Sequence, residues 1–358
     1  MKPLRRFSET VKDYCGYTFN FKDTPPNQVI LFVTSACNFA CETCFYSEKL
    51  NDTRNDLTFD ELEKISSNFK EIKLLLMTGG EPYLRKDFFE IIRLFYDKNN
   101  TRKIHIPTNG FATTKILLDT ERMLSELPGL QINIGVSLDG LHQRHDQISK
   151  RDGAFEKAIT TQRLLIELEH KYANLQTRFY TVISHSNVEH CADLFKYISD
   201  EFGYERIGFS PLRGDPADPQ LRPPSLEEWD AFTAMYRTYV DQNSHNSSLK
   251  QLLLNRKIRN LYSINRQIME TGDGGLKKTS RNFVSHNCSA GNNICTIDAD
   301  GEVRVCELKE PVGNLRDHNY DIREILSEKF SHDCTCTHAC FQNASVDVNP
   351  RAYLTQFL

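Results

Sequence analysis

Between residue 29 and about 212, apolar runs of strand length alternate with amphipathic stretches of helix length. The runs cover 29–33, 72–78, 103–107, 132–138, 177–184 and 206–210. Between them, apolar residues recur at helical spacing over 59–69, 88–96, 115–127, 154–170 and 189–202. Thr58, with Glu61 three residues later, has the form of a capping box, and Asp152-Gly153 opens the helix that carries Leu164, Leu165 and Leu168. Strands alternating with helices imply parallel βαβ units. The runs are almost continuously apolar, which predicts strands buried on both faces. The expected class is α/β, either a partial (β/α)6 TIM barrel or an open doubly wound sheet. Polar residues at the strand ends, described below, favour the barrel.

The flanks differ from this core. Residues 1–28 are polar and end in Thr24-Pro25-Pro26-Asn27, which reads as an N-terminal cap too short for a separate leader-binding domain. The barrel is expected over 29–215, a helical connector over 216–287 and a small C-terminal domain over 288–358. In the connector, Ser225 with Glu228 starts a helix whose Trp229, Phe232, Met235, Tyr236 and Tyr239 share one face, the pattern of a packed amphipathic helix. A second helix carries Leu252, Leu253, Ile258 and Leu261. From 296 to 306, two short strands flank an Asp300-Gly301 turn.

Charge narrows the partners. Lys and Arg number 44 against 48 Asp and Glu, so no basic excess is available to neutralise a phosphate backbone, and nucleic acid is not an expected partner. No apolar run approaches the roughly 18 residues that would span a membrane, and the N-terminus lacks the apolar core of a secretory signal. A cytoplasmic protein is expected, where thiols stay reduced. The 11 cysteines are then better read as metal ligands than as disulfides. Cys15 and Cys191 stand alone as small core or surface residues; the others gather at 37, 41, 44 and at 288, 295, 306, 334, 336, 340.

Cys37, Cys41 and Cys44 follow directly on the apolar run that ends at Val33. Closely spaced thiolates select an iron–sulfur cluster or zinc, and three of them leave a coordination position open. This CxxxCxxC loop after a first strand resembles that of the radical S-adenosylmethionine (SAM) enzymes. The resemblance implies a [4Fe–4S] cluster on the three cysteines, with SAM bound through its amino and carboxylate groups to the remaining iron. Thr43 stands where the family usually has an aromatic residue, though Phe45 and Tyr46 follow at once.

Further strand ends extend the resemblance. Gly79-Gly80-Glu81-Pro82 follows the second run and matches the family segment that receives the SAM amino group. Asn109 after the third run, and Ser137 and Asp139 after the fourth, stand where similar enzymes contact the ribose and carboxylate of SAM. Leu212 after the sixth, with Phe45, stands near the expected adenine.

The second cysteine group also has a counterpart. Cys288, Gly301 and Cys306, then Cys334, Cys336 and Cys340, resemble the SPASM/twitch extension of many radical SAM enzymes, which holds auxiliary clusters. No cysteine follows Cys340, which implies a twitch form with one auxiliary [4Fe–4S] cluster. Cys288 and Cys306 would supply half its ligands and two of Cys334, Cys336 and Cys340 the rest; Cys295 does not fit the frame, and His338 reads as a neighbour rather than a ligand. A structural zinc site suits the same spacing.

The expected activity is reductive cleavage of SAM and hydrogen abstraction from a substrate C–H, assisted by the auxiliary cluster in an oxidoreductase or dehydrogenase-type reaction. The expected substrate is a small molecule such as a sugar or aminocyclitol, with a ribosomally made peptide as the alternative and a non-enzymatic metal protein as a third reading. The implied electron donor is of flavodoxin or ferredoxin type. Tyr180, His105 and Glu307 are candidate proton acceptors that no spacing distinguishes.

Overall fold

The computed structural model describes residues 25–243 and 288–327. Among these residues nine strands form one open sheet in the order β6-β5-β4-β3-β2-β1-β7-β8-β9. The first six are β1 (Gln28–Phe32), β2 (Leu74–Thr78), β3 (Lys103–Thr108), β4 (Gln131–Ser137), β5 (Leu175–Ile183) and β6 (Ile207–Pro211). They lie in chain order and are all parallel, as the alternating pattern requires. Helices α1 (Phe59–Asn68), α2 (Phe88–Lys98), α3 (Thr113–Glu126), α4 (Gln143–Ser149), α5 (Ala154–Lys171) and α6 (Cys191–Phe202) make the crossovers, and α7 (Leu226–Asn243) follows β6. The result is an α/β partial barrel that does not close.

Burial departs from the expected doubly apolar strands. Of the six parallel strands β1 to β6, only β1 is buried along its whole length. In β3, β4 and β5, buried residues alternate with partly exposed ones. Residues such as Ile104, Ile134 and Phe179 are buried on the helix-covered face, while the intervening positions line the concave face, which stays polar.

Local chemistry sets the helix starts. Thr58 Oγ1 accepts from the Glu61 amide, and the Glu61 carboxylate accepts from the Thr58 amide at 2.8 Å, which completes the capping box of α1. Ser225 and Glu228 cap α7 in the same way. The start of α5 differs from the expectation. Asp152 does not cap it; the carboxylate of Asp146, on α4, accepts from the amides of Gly153 and Phe155, both at 2.8 Å. The aromatic face of α7 packs as predicted: Phe209 of β6 meets the rings of Phe232 and Tyr236 at 4.7 and 4.9 Å, and Trp229 is fully buried.

The C-terminal hairpin is present, with β7 (Ile294–Ile297) and β8 (Glu302–Arg304) antiparallel and β9 (Gly313–Asn314) beyond them. It does not stand apart. β7 pairs in parallel with β1, Val29 opposite Cys295, so the barrel sheet continues directly into the hairpin. Side chains reinforce the join. Lys49 Nζ reaches Asp298, Asp300 and Glu302 at 2.8, 3.0 and 2.6 Å. Burial pulls the Lys49 ammonium down, but its carboxylate hydrogen bonds prevail and hold it above the usual lysine range. Glu61, already in the capping box, also accepts from Arg316 Nε at 2.7 Å and from the Tyr320 hydroxyl at 3.1 Å. Cys15, the second connector helix, residues 1–24 of the cap, and Cys334, Cys336, His338 and Cys340 lie outside the described residues.

The Arg316 hydrogen bond holds Glu61 down at about 2. A carboxyl depressed in the folded state stabilises it above the unfolded pKa, and that contribution is lost as pH falls through the folded value. Glu61→Gln should therefore lower the Tm at pH 7 by an amount equivalent to about 2 kcal/mol. The difference from wild type should shrink below about pH 4.5 and be nearly gone at about pH 2. A pH-independent difference in a thermal-melt series would contradict the assignment.

Candidate active site

The cysteine loop has no regular structure between β1 and a short 3₁₀ turn at Ser47–Lys49, so its shape is imposed by its neighbours. The end of β2 lies directly on its start. Gly80 N–H donates to Thr34 O at 2.9 Å, and Glu81 N–H to Ala36 O at 2.8 Å. A Cβ at Gly79 would sit 2.3 Å from Thr34 O, and one at Gly80 2.2 Å from Ala36 O. The φ of Gly79 is +146°, which other residues rarely adopt. These two glycines therefore make room for the cysteine loop itself.

The remaining contacts come from every side. Cys37 N–H donates to Asn51 Oδ1 at 2.9 Å, and Thr34 Oγ1 to Asp56 at 2.7 Å. Ala40 and Glu42 amides donate to the carbonyls of Ser149 and Ile148 at the end of α4, at 3.3 and 3.0 Å. Beyond β6, the amides of Ala217 and Asp218 reach the carbonyls of Cys44 and Glu42, each at 3.0 Å. Phe39 meets Phe111 edge-on, 5.6 Å between ring centres.

Glu81 is buried behind the loop. It accepts from Tyr83 N–H and Thr108 Oγ1 at 3.2 and 2.9 Å, and from Asn109 N–H at 2.7 Å. A carboxylate has room for about four donors, so one more can be taken. Asn109 also donates from Nδ2 to Asn38 Oδ1 at 2.7 Å, which ties the end of β3 to the loop between Cys37 and Cys41. Burial raises Glu81 to about 7 against the hydrogen bonds it receives.

Asp139, at the end of β4, behaves alike. Burial raises it to about 7, although it accepts from Val182 N–H at 2.7 Å. Its own amide donates to His145 Nδ1 at 3.1 Å, which leaves the imidazole proton on Nε2. Burial lowers His145 to about 4, consistent with that neutral ring.

The thiols feel both carboxylates. Burial pushes Cys37 up to about 11, and the charge of Glu81 adds to the rise. Burial raises Cys41 as well, and Asp139 contributes; burial likewise raises Cys44. Three partly buried thiols that resist ionisation on their own, flanked by two reluctant carboxylates, form a donor set suited to a positively charged metal centre and a cationic ligand. The residues therefore fit an iron–sulfur cluster.

The other expected residues distribute around this centre. Ser137 tops β4 opposite Tyr180. Leu212 is buried, its amide donating to Ile183 O at 2.7 Å. Phe45 lies under the Arg213 guanidinium, 5.3 Å from its ring centre, and Arg213 pairs with Glu307 at 3.0 Å. Glu307 follows Cys306, so this pair connects the top of β6 to the hairpin. Cys306 is buried and Cys288 partly buried, both against the main core. Cys295 is fully buried in β7, where burial lifts its thiol to about 12. Asn38, Asn51, Asp56 and the end of α4 were not anticipated; Asn38 at least lay inside the cysteine motif.

Comparison with known proteins agrees with the fold. Residues 31–198 match the radical SAM superfamily. An AdoMet-dependent heme synthase of Methanosarcina barkeri is 26% identical over 84% of this chain and 82% of its own length. A probable GTP 3′,8-cyclase of Saccharolobus islandicus is 24% identical over 86% of this chain and 90% of its own. Among solved structures, anSMEcpe with bound AdoMet and a peptide superposes with a TM-score of 0.58 at 17% identity, covering 91% of this chain and 84% of the other. The matched stretch runs from within β1 into α6 and carries the cysteine loop at its head.

Proposed function

We propose that this protein is a radical SAM enzyme acting on a small molecule. One observation carries the reading: the three loop thiols, Gly79 to Glu81, Asn109 and Asp139 meet at the C-terminal ends of consecutive parallel strands, where a barrel assembles its chemistry. With a [4Fe–4S] cluster and SAM bound, the chemistry supplied would be reductive cleavage of SAM and removal of hydrogen from a substrate C–H. Cys37, Cys41 and Cys44 would hold the cluster. Glu81, with capacity for one further donor, receives the SAM amino group, and a cation there favours the ionised form that burial opposes. Asn109, Ser137 and Asp139 orient the ribose and carboxylate, while Phe45 and Leu212 flank the adenine.

The small-molecule reading draws on the relatives aligned along most of the chain, which are named for a heme and for GTP. Neither name points to a sugar or aminocyclitol in particular, so the class is left broader. A twitch-type auxiliary [4Fe–4S] cluster on Cys288, Cys306 and two of Cys334, Cys336 and Cys340 completes the proposal. Its support is the seat of the hairpin, paired with the strand that leads into the cysteine loop and joined to β6 through Glu307 and Arg213. Such a cluster suits net oxidation of the substrate, and a flavodoxin or ferredoxin-type donor would supply the electron for SAM cleavage.

Anaerobic reconstitution should give about eight irons per chain, and dithionite with SAM should release 5′-deoxyadenosine. A protein that binds zinc and releases none would overturn the reading. Cys37→Ala should cut that release about 100-fold or more, whereas Cys306→Ala should keep part of it while losing product. Equal loss in both would assign the second cluster to folding. Gly80→Ala forces a methyl into Ala36 O, and neither backbone can give way. It should destabilise the protein by about 3 kcal/mol or more, read as a fall in Tm together with lost iron retention; wild-type melting would refute the close packing.

A further inference from the structure

The concave face below the strand tops carries a charge that no carboxylate among the described residues answers. On β3, β4 and β5 the lumen-facing positions include His105, Asn133, Gly135, Arg178 and Tyr180. The register sets His105 beside Asn133, Gly135 beside Arg178, and Ser137 beside Tyr180. Arg178 thus lies one lumen-facing layer, roughly 7 Å, below the strand tops. Gly135 contributes no side chain. A Cβ there would be 3.5 Å from His105 Nε2 and 3.8 Å from Tyr180 Cβ, so bare backbone forms the wall among these groups.

Other partly buried arginines have protein acceptors: Arg85 pairs with Asp87, Arg206 with Glu169 and Arg304 with Asp298, while Arg144 donates to the Ser186 carbonyl. Arg178 has no such ion pair among the described residues, and its Nε is buried without a hydrogen-bond partner, as is Asn133 Oδ1. His105 does not compensate. Burial lowers it to about 4, and the Arg178 charge pushes the same way, so the ring is neutral at pH 7. A guanidinium held partly buried loses hydration at its Nε that no described group restores. Such a group is suited to an oxyanion delivered from outside, because the guanidinium fork matches carboxylate and phosphate geometry.

We propose that Arg178 binds an anionic group, carboxylate or phosphate, of the substrate, with His105 and Asn133 as neutral polar neighbours. The inference rests on reading the lumen as the substrate side of the SAM site. The anion then sits at the inner end of the substrate, and the carbon that loses hydrogen faces the strand tops.

The test is calorimetric titration of inorganic phosphate and, separately, succinate into the reconstituted protein at fixed ionic strength. Wild type should bind at least one of them, and which one binds identifies the anion class. Arg178→Gln should weaken that binding about tenfold or more, and Arg178→Lys should recover part of it. Asn133→Asp, which sets a carboxylate near the guanidinium, should also weaken it and stands in if Arg178→Gln does not fold. Binding of neither anion, or binding unaltered by these substitutions, overturns the proposal. Release of 5′-deoxyadenosine by the same wild-type preparation keeps the two readings apart. Release without anion binding removes this inference alone, and anion binding without release removes the radical SAM reading alone.

Discussion

A loop that must gather three thiols cannot be a helix or a strand, so its conformation has to be supplied by whatever surrounds it. Here the decisive contact is backbone on backbone, with Gly79 to Glu81 lying against Thr34 to Ala36. No side chain fits between them. That contact aligns the top of β2 with the loop and brings Glu81 behind Cys37. Through the Asn109 amide, Glu81 then fixes the top of β3, and Asn109 returns to the loop at Asn38. The end of α4 and the segment beyond β6 close the ring from the other side. The electrostatics follow from the same packing. Groups pressed this closely lose water, so thiols and carboxylates alike resist ionisation until a cation joins them.

The hairpin is bound to this centre by a different device. One ammonium, Lys49, answers three carboxylates whose oxygens lie within 4.8 Å of one another. Taken alone, Asp298, Asp300 and Glu302 would look like a cation site; the cation is a side chain of the segment that leaves the cysteine loop. Arg304 also pairs with Asp298 and Glu302, so removing Lys49 would leave Asp300 without an ion pair among the described residues and loosen the hairpin from the loop.

Much of this was legible in the sequence, and the boundary is physical. Strands and long helices announce themselves through period, and capping boxes through residues three apart, so β1 to β6, α1 and α7 appeared where expected. α4 is only seven residues long and follows His142 at a φ of +47°, too short and too irregular to leave a period. Asp146 caps α5 from another helix, and no local rule separates it from Asp152. The alternation of β3 to β5 is present in the sequence, but their many apolar residues mask it and leave Arg178 indistinct among the strand residues. Cysteine spacing located the loop, whereas the partners that hold it come from distant segments whose register no local pattern encodes.

The pairing of β7 with β1 also orders events in time. During synthesis the six parallel strands and the cysteine loop are complete well before residue 294 exists. Until then β1, buried along its whole length in the finished fold, has β2 on one side and, among the described residues, an unpaired hydrogen-bonding edge on the other. The nascent chain therefore passes through a stage in which the loop thiols are formed but the hairpin has not reached that edge. Acquisition of metal and protection of the edge become successive steps, and a chain stalled between them exposes a strand that other chains can pair with.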